Sequence, residues 1–185
     1  MSEKQKDWQA KLDAFWQRFQ ETAGNDKGLR AALKRNAGLR LCDADRHAMT
    51  AFYRIYGGGL VSIDKEDLCF LAVCVSCLWK PEDWKRGTPL VEGAKKFLDP
   101  ESRETFGKRL QALMDLPWDE DGYLAGKLCR LLKFCRAKGM VVNGKDLLKD
   151  LLWWNEDDRR VQRKWAREFC RMEKKDDEGG KGNAD

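Results

Sequence analysis

Residues 127–138, which read KLCRLLKFCRAK, decide how the rest of the chain is interpreted. The stretch contains five basic residues and no acidic residue. Its apolar residues recur at the three- and four-residue spacing of one helical face, at Leu128, Leu131, Leu132 and Cys135. The spacing predicts a helix whose apolar side is buried and whose remaining surface is positively charged.

Two further stretches repeat this pattern near the ends of the chain, KGLRAALKR at Lys27–Arg35 and RRVQRKWAREFCR at Arg159–Arg171. Basic side chains one helical turn apart, about 5.4 Å, can follow successive phosphates of a nucleic-acid strand. The chain is therefore predicted to be a helical protein that binds polyanions, above all nucleic acid. On helical geometry the predicted contacts are Lys27, Lys127, Arg130, Lys133, Arg136, Arg160, Arg163, Lys164 and Arg167.

The size and composition predict a globular protein of one domain or two small lobes. The chain has 185 residues, of which 42% are hydrophobic, and its 36 basic residues exceed its 31 acidic ones by only five. The acidic residues gather where helices are expected to begin, a position that the helix dipole favours. The basic residues are thereby left to dominate the bodies of the helices.

The same features predict a cytoplasmic protein without a membrane segment. No charged-then-apolar signal sequence opens the chain, and the longest apolar run, at 68–79, is shorter than the roughly 18–20 residues that span a bilayer. The seven cysteines are scattered through helical patterns, which is typical of reduced thiols packed as small hydrophobes. No disulfide is expected.

Periodicity predicts an all-α fold of two packed helical-bundle lobes with about eight to nine helices. The lobes are assigned to residues 1–90 and 91–172, and the charged, glycine-rich segment 173–185 is expected to be disordered. Residues 64–79 are apolar on every side after one acidic turn, which predicts a central helix. The last helix is predicted to begin at Asn155, and only Met140–Val142 is predicted to be extended.

Candidate catalytic and metal-binding residues are few. Cys74 and Cys77 form a C-x-x-C pair, but the pair lies inside the apolar central helix, so buried packing is favoured over metal or redox chemistry. His47 is the single histidine and has no nucleophile in recognisable relation to it, which favours a surface or capping role over general-base catalysis. The chain is predicted not to be an enzyme and to need no cofactor or metal.

Three other motifs have ordinary structural interpretations. The glycines at 57–59 lack the lysine and hydroxyl residue of a phosphate-binding loop and are interpreted as a connector. The acidic turn at 119–122 lacks the alternation of a calcium loop and is interpreted as a helix start. Trp153 and Trp154 are adjacent and cannot both face one core; core or lobe-interface packing is favoured over stacking on a nucleic-acid base.

Several segments, in order along the chain, resemble the small subunit of the type I-E CRISPR surveillance complex Cascade, the CasB family. The similarity covers about Trp8 to Met172. The segments that carry it are GLRAALKR at 28–35, AFYR at 51–54, FGKRL at 106–110, and LLWW at 151–154 before a basic terminal helix. The triple glycine and the abundant cysteines depart from the family pattern.

The resemblance implies a non-catalytic, all-helical, two-lobed subunit that is present in two copies. Such a subunit contacts the backbone subunits that coat the guide RNA and helps to hold the target strand and the displaced strand. Single-stranded DNA, the guide RNA–target hybrid, other Cascade subunits and a second copy of the chain are thus the expected partners. Carried onto matching positions, the resemblance implies further strand contacts at Arg30, Lys34, Arg35 and Arg54.

Two alternatives remain open at this point. The chain could be a helical adaptor whose basic faces bind acidic protein partners and never nucleic acid. It could also be a helical enzyme centred on His47 or the cysteines, which would place those groups around a deep pocket.

Overall fold

The predicted all-α class is confirmed by the structure, a computed structural model that describes residues 3–58, 60–62, 65–119 and 121–179. Nine α-helices and two short 3₁₀ turns, at Leu41–Asp43 and Pro81–Arg86, make up this part of the chain. The helices are α1 (Glu3–Asn25), α2 (Lys27–Arg35), α3 (Arg46–Tyr56), α4 (Glu66–Ser76), α5 (Leu90–Phe97), α6 (Pro100–Met114), α7 (Tyr123–Ala137), α8 (Gly144–Leu151) and α9 (Arg160–Gly179).

Four helices begin at an Asp or Asn whose side chain accepts backbone N–H groups of the first turn. Asp26 caps α2, Asp45 caps α3, Asp99 caps α6 and Asn143 caps α8. Such a side chain satisfies donors that have no partner within the helix. These helix starts are therefore fixed by local sequence.

Helix α4 forms the centre of the molecule, as its apolar sequence predicts. Every residue from 68 to 79 is buried, and α2, α7 and α8 all pack against the helix. The helix is shorter than the predicted 64–79, since it ends at Ser76. The Ser76 carbonyl accepts the indole N–H of Trp84 at 2.9 Å, and the chain turns so that the indole of Trp79 donates to the Met140 carbonyl at 2.9 Å. Residue 64 lies outside the described residues.

Helix α9 differs from its predicted bounds at both ends. It begins at Arg160 and not at Asn155, because the Asn155 side chain bonds the backbone of Trp118 through both its oxygen and its nitrogen. It continues to Gly179, past the predicted start of the tail at Glu173, in a segment rich in the good helix formers Glu and Lys. Residues 180–185 lie outside the described residues.

One hydrophobic cluster contains residues from both predicted lobes, including Phe52 and Leu71 from the first and Leu128 and Trp165 from the second. The chain approaches itself closely where α8 begins: a Cβ atom at Gly144 would lie 2.6 Å from Cη2 of Trp16. The division at residue 90 stays a prediction.

Val142, in the stretch predicted to be extended, forms an isolated parallel bridge with Thr88. None of the described helices is both long and apolar enough for a membrane span.

Candidate nucleic-acid interface

A groove of about 640 Å³ between α6 and α7 contains three of the predicted basic residues. From α7 it is lined by Lys127, Arg130 and Lys133, and from α6 by Lys108 and Arg109. Its described lining contains no acidic residue, and its apolar part consists of Ala112, Leu131 and Phe134. We call this site the basic groove. Five cations around an apolar floor make a surface suited to the phosphates and the bases of a nucleic-acid strand.

The basic groove includes two residues, Lys108 and Arg109, that were not among the predicted contacts. The guanidinium carbon of Arg109 lies 4.6 Å from the ring centroid of Phe134, a cation–π contact that fixes the arginine across the groove. Lys108 donates to Glu104 at 2.6 Å, one turn earlier on α6. This contact lowers the pKa of Glu104 and partly neutralises Lys108. In the sequence these two residues are the KR pair within FGKRL at 106–110. That pair could not be assigned to a binding site from the sequence, because it joins the α7 cations only when α6 packs against α7.

The fourth basic residue of α7, Arg136, does not line the basic groove. Residues three apart on an α-helix are rotated by about 300°, so the positions 127, 130, 133 and 136 turn by about 60° at each step. Over three steps, from 127 to 136, the positions come to lie on opposite sides of the helix. Arg136 lines a separate pocket of about 400 Å³ with Lys80, Arg86 and Phe97. The exposed surface of α7 is thus positive on more than one side, and a strand contact at Arg136 stays a prediction.

The basic residues of α2 form a second surface, only part of which is available to a ligand. Lys27, Lys34 and Arg35 are exposed and have no ion pair among the described residues. Arg30 instead donates to the Ala23 and Gly24 carbonyls at the end of α1. Arg54 lies 4.0 Å from Asp26, a long and exposed contact that screens its charge only weakly.

Helix α9 contributes a third surface, on which the four predicted residues have different surroundings. Arg163 and Arg167 are exposed without an ion pair in the described part of the chain. Lys164 donates to Asp150 at 2.9 Å and is thereby neutralised. Arg160 lies over Trp153, with its guanidinium carbon 3.9 Å from the ring centroid. No described residue of α2 or α9 lines the basic groove.

The adjacent tryptophans face opposite environments, as their sequence predicts. Trp154 is 2% exposed and donates its indole N–H to the Leu116 carbonyl at 2.8 Å. Trp153 is 39% exposed and has Arg160 on its ring and Lys65 at 5.6 Å from its centroid. Core packing thus accounts for one tryptophan and cation contacts for the other.

The cysteines have the buried surroundings that packing predicts. Cys74 and Cys77 lie in the core, and burial raises the pKa of Cys77 to about 12 and that of Cys74 well above the ordinary value. His47 lies exposed in the first turn of α3. Among the described residues no three or more His, Cys, Asp or Glu side chains cluster closely enough to hold a metal ion. Cys74 and Cys77 are thus packed in the core, while His47 lies at the surface.

The two remaining motifs are turns. Gly57 ends α3 with a φ of 65°, and Arg18 donates across the turn to the Ile55 and Tyr56 carbonyls. Gly122 precedes α7 with a φ of 69°, a left-handed conformation that suits glycine. Residues 59 and 120 lie outside the described residues.

The burial of the cysteines predicts their reactivity. Only the thiolate attacks a disulfide reagent, so a raised pKa and burial both protect a thiol. We expect two of the seven cysteines, the exposed Cys42 and Cys170, to react with Ellman's reagent in the native protein at about pH 8. All seven should react in about 6 M guanidinium chloride. Rapid native reaction of more than two thiols would contradict the described core.

The fold and the basic groove define a class: an all-helical protein with a groove between two packed helices whose described lining carries cations and no acidic residue. Residues 29–169 match the family described as CRISPR-associated protein Cse2. The chain belongs to the Cse2 family, which confirms the resemblance drawn from the sequence.

Two solved structures share the fold. A chain of a structure titled CRISPR RNA-guided surveillance complex has a TM-score of 0.70 and 21% identity, with 93% of this chain and 98% of that chain covered. CasB of M. ruber has a TM-score of 0.67 and 20% identity, with 90% and 96% covered. A comparison with curated protein sequences finds no match.

Proposed function

We propose that this chain is a non-catalytic subunit of a CRISPR RNA-guided surveillance complex of the Cascade type. In that complex it binds the target strand and the displaced strand of the R-loop through its basic helical surfaces. The observation that carries the proposal is the basic groove, whose lining takes five cations from two packed helices and contains no described acidic residue. Family membership over residues 29–169 supports the assignment to a CRISPR complex.

The proposed role follows from the energetics of strand exchange. An RNA–DNA hybrid is about as stable as the DNA duplex that it replaces, so modest protein binding to the open state decides whether that state persists. A subunit that binds opened strands but not the reclosed duplex stabilises the open state by about 2.7 kcal/mol when its effective concentration is about one hundred times its Kd. No chemistry on the strand is required.

The basic surfaces contribute unequally in this proposal. Side chains without an internal ion pair can neutralise phosphates at no cost to the fold. Most of the affinity is therefore provided by Lys127, Arg130 and Lys133 in the basic groove, Lys27, Lys34 and Arg35 on α2, and Arg163 and Arg167 on α9. Arg30 and Lys164 already bond within the chain and contribute less. Arg54 and Arg136 are exposed and provide secondary contacts.

The proposed partners are single-stranded DNA, the guide RNA–target hybrid, the backbone subunits of the complex and a second copy of the chain. A cytoplasmic location agrees with the seven free thiols, since reduced cysteines persist in a reducing compartment. The proposed boundary of the two lobes stays near residue 90.

The proposal is tested by measuring how the purified chain binds labelled single-stranded DNA, duplex DNA and a bubble duplex of one sequence at several salt concentrations. We expect binding to the single strand and the bubble that exceeds binding to the closed duplex by about tenfold and depends strongly on salt. Co-purification of the tagged chain with an RNA-containing assembly is expected in a host that expresses the complex. Binding to acidic proteins with no response to any DNA would favour the helical adaptor instead.

A further inference from the structure

A pocket of about 400 Å³ lies where α6 ends and α9 begins, and it shares no described lining residue with the basic groove. Its described lining contains the carboxylates of Asp115, Glu156 and Asp157 and one basic residue, Arg159. We call it the acidic pocket. Its charge is opposite to that of the basic groove, so a phosphate chain is repelled from it.

The walls of the acidic pocket are held by hydrogen bonds between two distant parts of the chain. Asn155 accepts the backbone N–H of Trp118 at 2.8 Å and donates to the Trp118 carbonyl at 2.7 Å. Trp154 donates its indole N–H to the Leu116 carbonyl at 2.8 Å. The segment before α9 is thus fixed against the segment after α6, and the pocket exists before any ligand arrives.

The basic side chain in the described lining of the acidic pocket already has partners within the chain. Arg159 donates to the Met114 carbonyl at 2.7 Å, and the same nitrogen lies 3.9 Å from the carboxylate of Asp115. Asp115 is mostly exposed, so this contact leaves it with free acceptor capacity. Acceptors therefore outnumber available donors in the lining.

Gln162 supplies a second and independent indication of a ligand. Its side chain lines the acidic pocket and is 7% exposed. Its amide nitrogen donates to the Trp154 carbonyl at 2.8 Å, which fixes the orientation of the amide. The amide oxygen is buried and has no hydrogen-bond partner. Buried acceptors in native proteins are almost always bonded, so this oxygen requires a donor from outside the chain.

We propose that the acidic pocket binds the guanidinium group of an arginine side chain from a neighbouring protein subunit. A guanidinium carries a permanent positive charge and five N–H donors in one plane, so it can pair with the carboxylates while a further N–H meets the Gln162 oxygen. An ammonium group has the charge but not the planar set of donors. Because the oxygen is covered by neighbouring atoms, those atoms must move aside slightly when the arginine enters, while the amide nitrogen keeps its bond to the Trp154 carbonyl.

The contact with the arginine makes the Gln162 side-chain amide a direct reporter of peptide binding. The probe is the peptide acetyl-Gly-Arg-Gly-amide, titrated to about 10 mM into the ¹⁵N-labelled protein and followed by NMR. We expect a saturable shift of the Gln162 amide resonances. The matched peptide with citrulline in place of arginine has the same shape without the charge, and it should shift them by less than about one fifth as much.

Variants separate the acidic pocket from general acidity. Glu156→Gln with Asp157→Asn should weaken binding of the arginine peptide by about fivefold or more. Glu101→Gln with Asp43→Asn removes the same two exposed charges far from the pocket and should leave binding unchanged. All four residues are exposed, so the fold is expected to survive each change.

Three results would overturn the inference: no shift of Gln162 up to the highest peptide concentration, equal shifts with arginine and citrulline, or the same shift with magnesium chloride alone. The readout involves no nucleic acid, and its failure would leave the proposed role in strand binding intact.

Discussion

Changing Lys127, Arg130 and Lys133 together to glutamate is expected to lower the affinity for single-stranded DNA by about one hundredfold or more at about 0.1 M salt. Each contact with a phosphate releases a counterion, and three lost contacts of about 1 kcal/mol correspond to a factor of about one hundred. Repulsion by the new carboxylates adds to the loss. Fluorescence anisotropy with a labelled oligonucleotide measures the affinity directly.

The same variant should change how binding depends on salt. For single strands the slope of log affinity against log salt is about 0.7 per neutralised phosphate, so its magnitude should fall by about 2. The control changes Lys6, Lys85 and Lys95 to glutamate, which alters the net charge equally at exposed positions outside the basic groove. Equal losses in both variants would show that only net charge matters and would contradict a specific groove.

The largest effect on stability is expected at Trp154. Trp154→Ala should reduce the free energy of unfolding by about 3–5 kcal/mol, because it leaves a large cavity and removes the donor to the Leu116 carbonyl. Urea unfolding followed by circular dichroism measures the change.

Its neighbour provides the matched control. Trp153→Ala removes the same side chain from an exposed position and loses mainly a cation–π contact with Arg160, for which about 1 kcal/mol is expected. Comparable losses for the two variants would contradict the opposite burial of the adjacent tryptophans.

Much of the helical scaffold could be predicted because its signals are local. Asp26, Asp99 and Asn143 cap helices through their own neighbours in sequence, and the apolar run around Leu71 predicts a helix buried on every side. Two of the bounds that were wrong depend on distant contacts. The end of α4 is set by the indole of Trp84, and the start of α9 by a bond from Asn155 to Trp118.

The basic groove was predictable in part. The α7 residues Lys127, Arg130 and Lys133 were identified from spacing alone, whereas Arg109 becomes part of the site only because α6 packs beside α7. The internal bonds of Arg30 and Lys164 could not be predicted either, because their partners lie in other helices: Arg30 bonds carbonyls at the end of α1, and Lys164 bonds Asp150 of α8. The sequence alone does not show whether a basic side chain on a helix surface already bonds a carbonyl or carboxylate of the same chain.

The turning of basic positions around α7 limits how much polymer one copy can hold. From Lys127 to Lys133 the helix advances about 9 Å, which matches about three phosphates even at the axial spacing of about 3.4 Å found in duplex DNA. The next basic position, Arg136, lies outside the basic groove, so a single groove contacts only a short length of strand. Sustained retention of a long strand therefore calls for several such footprints set end to end.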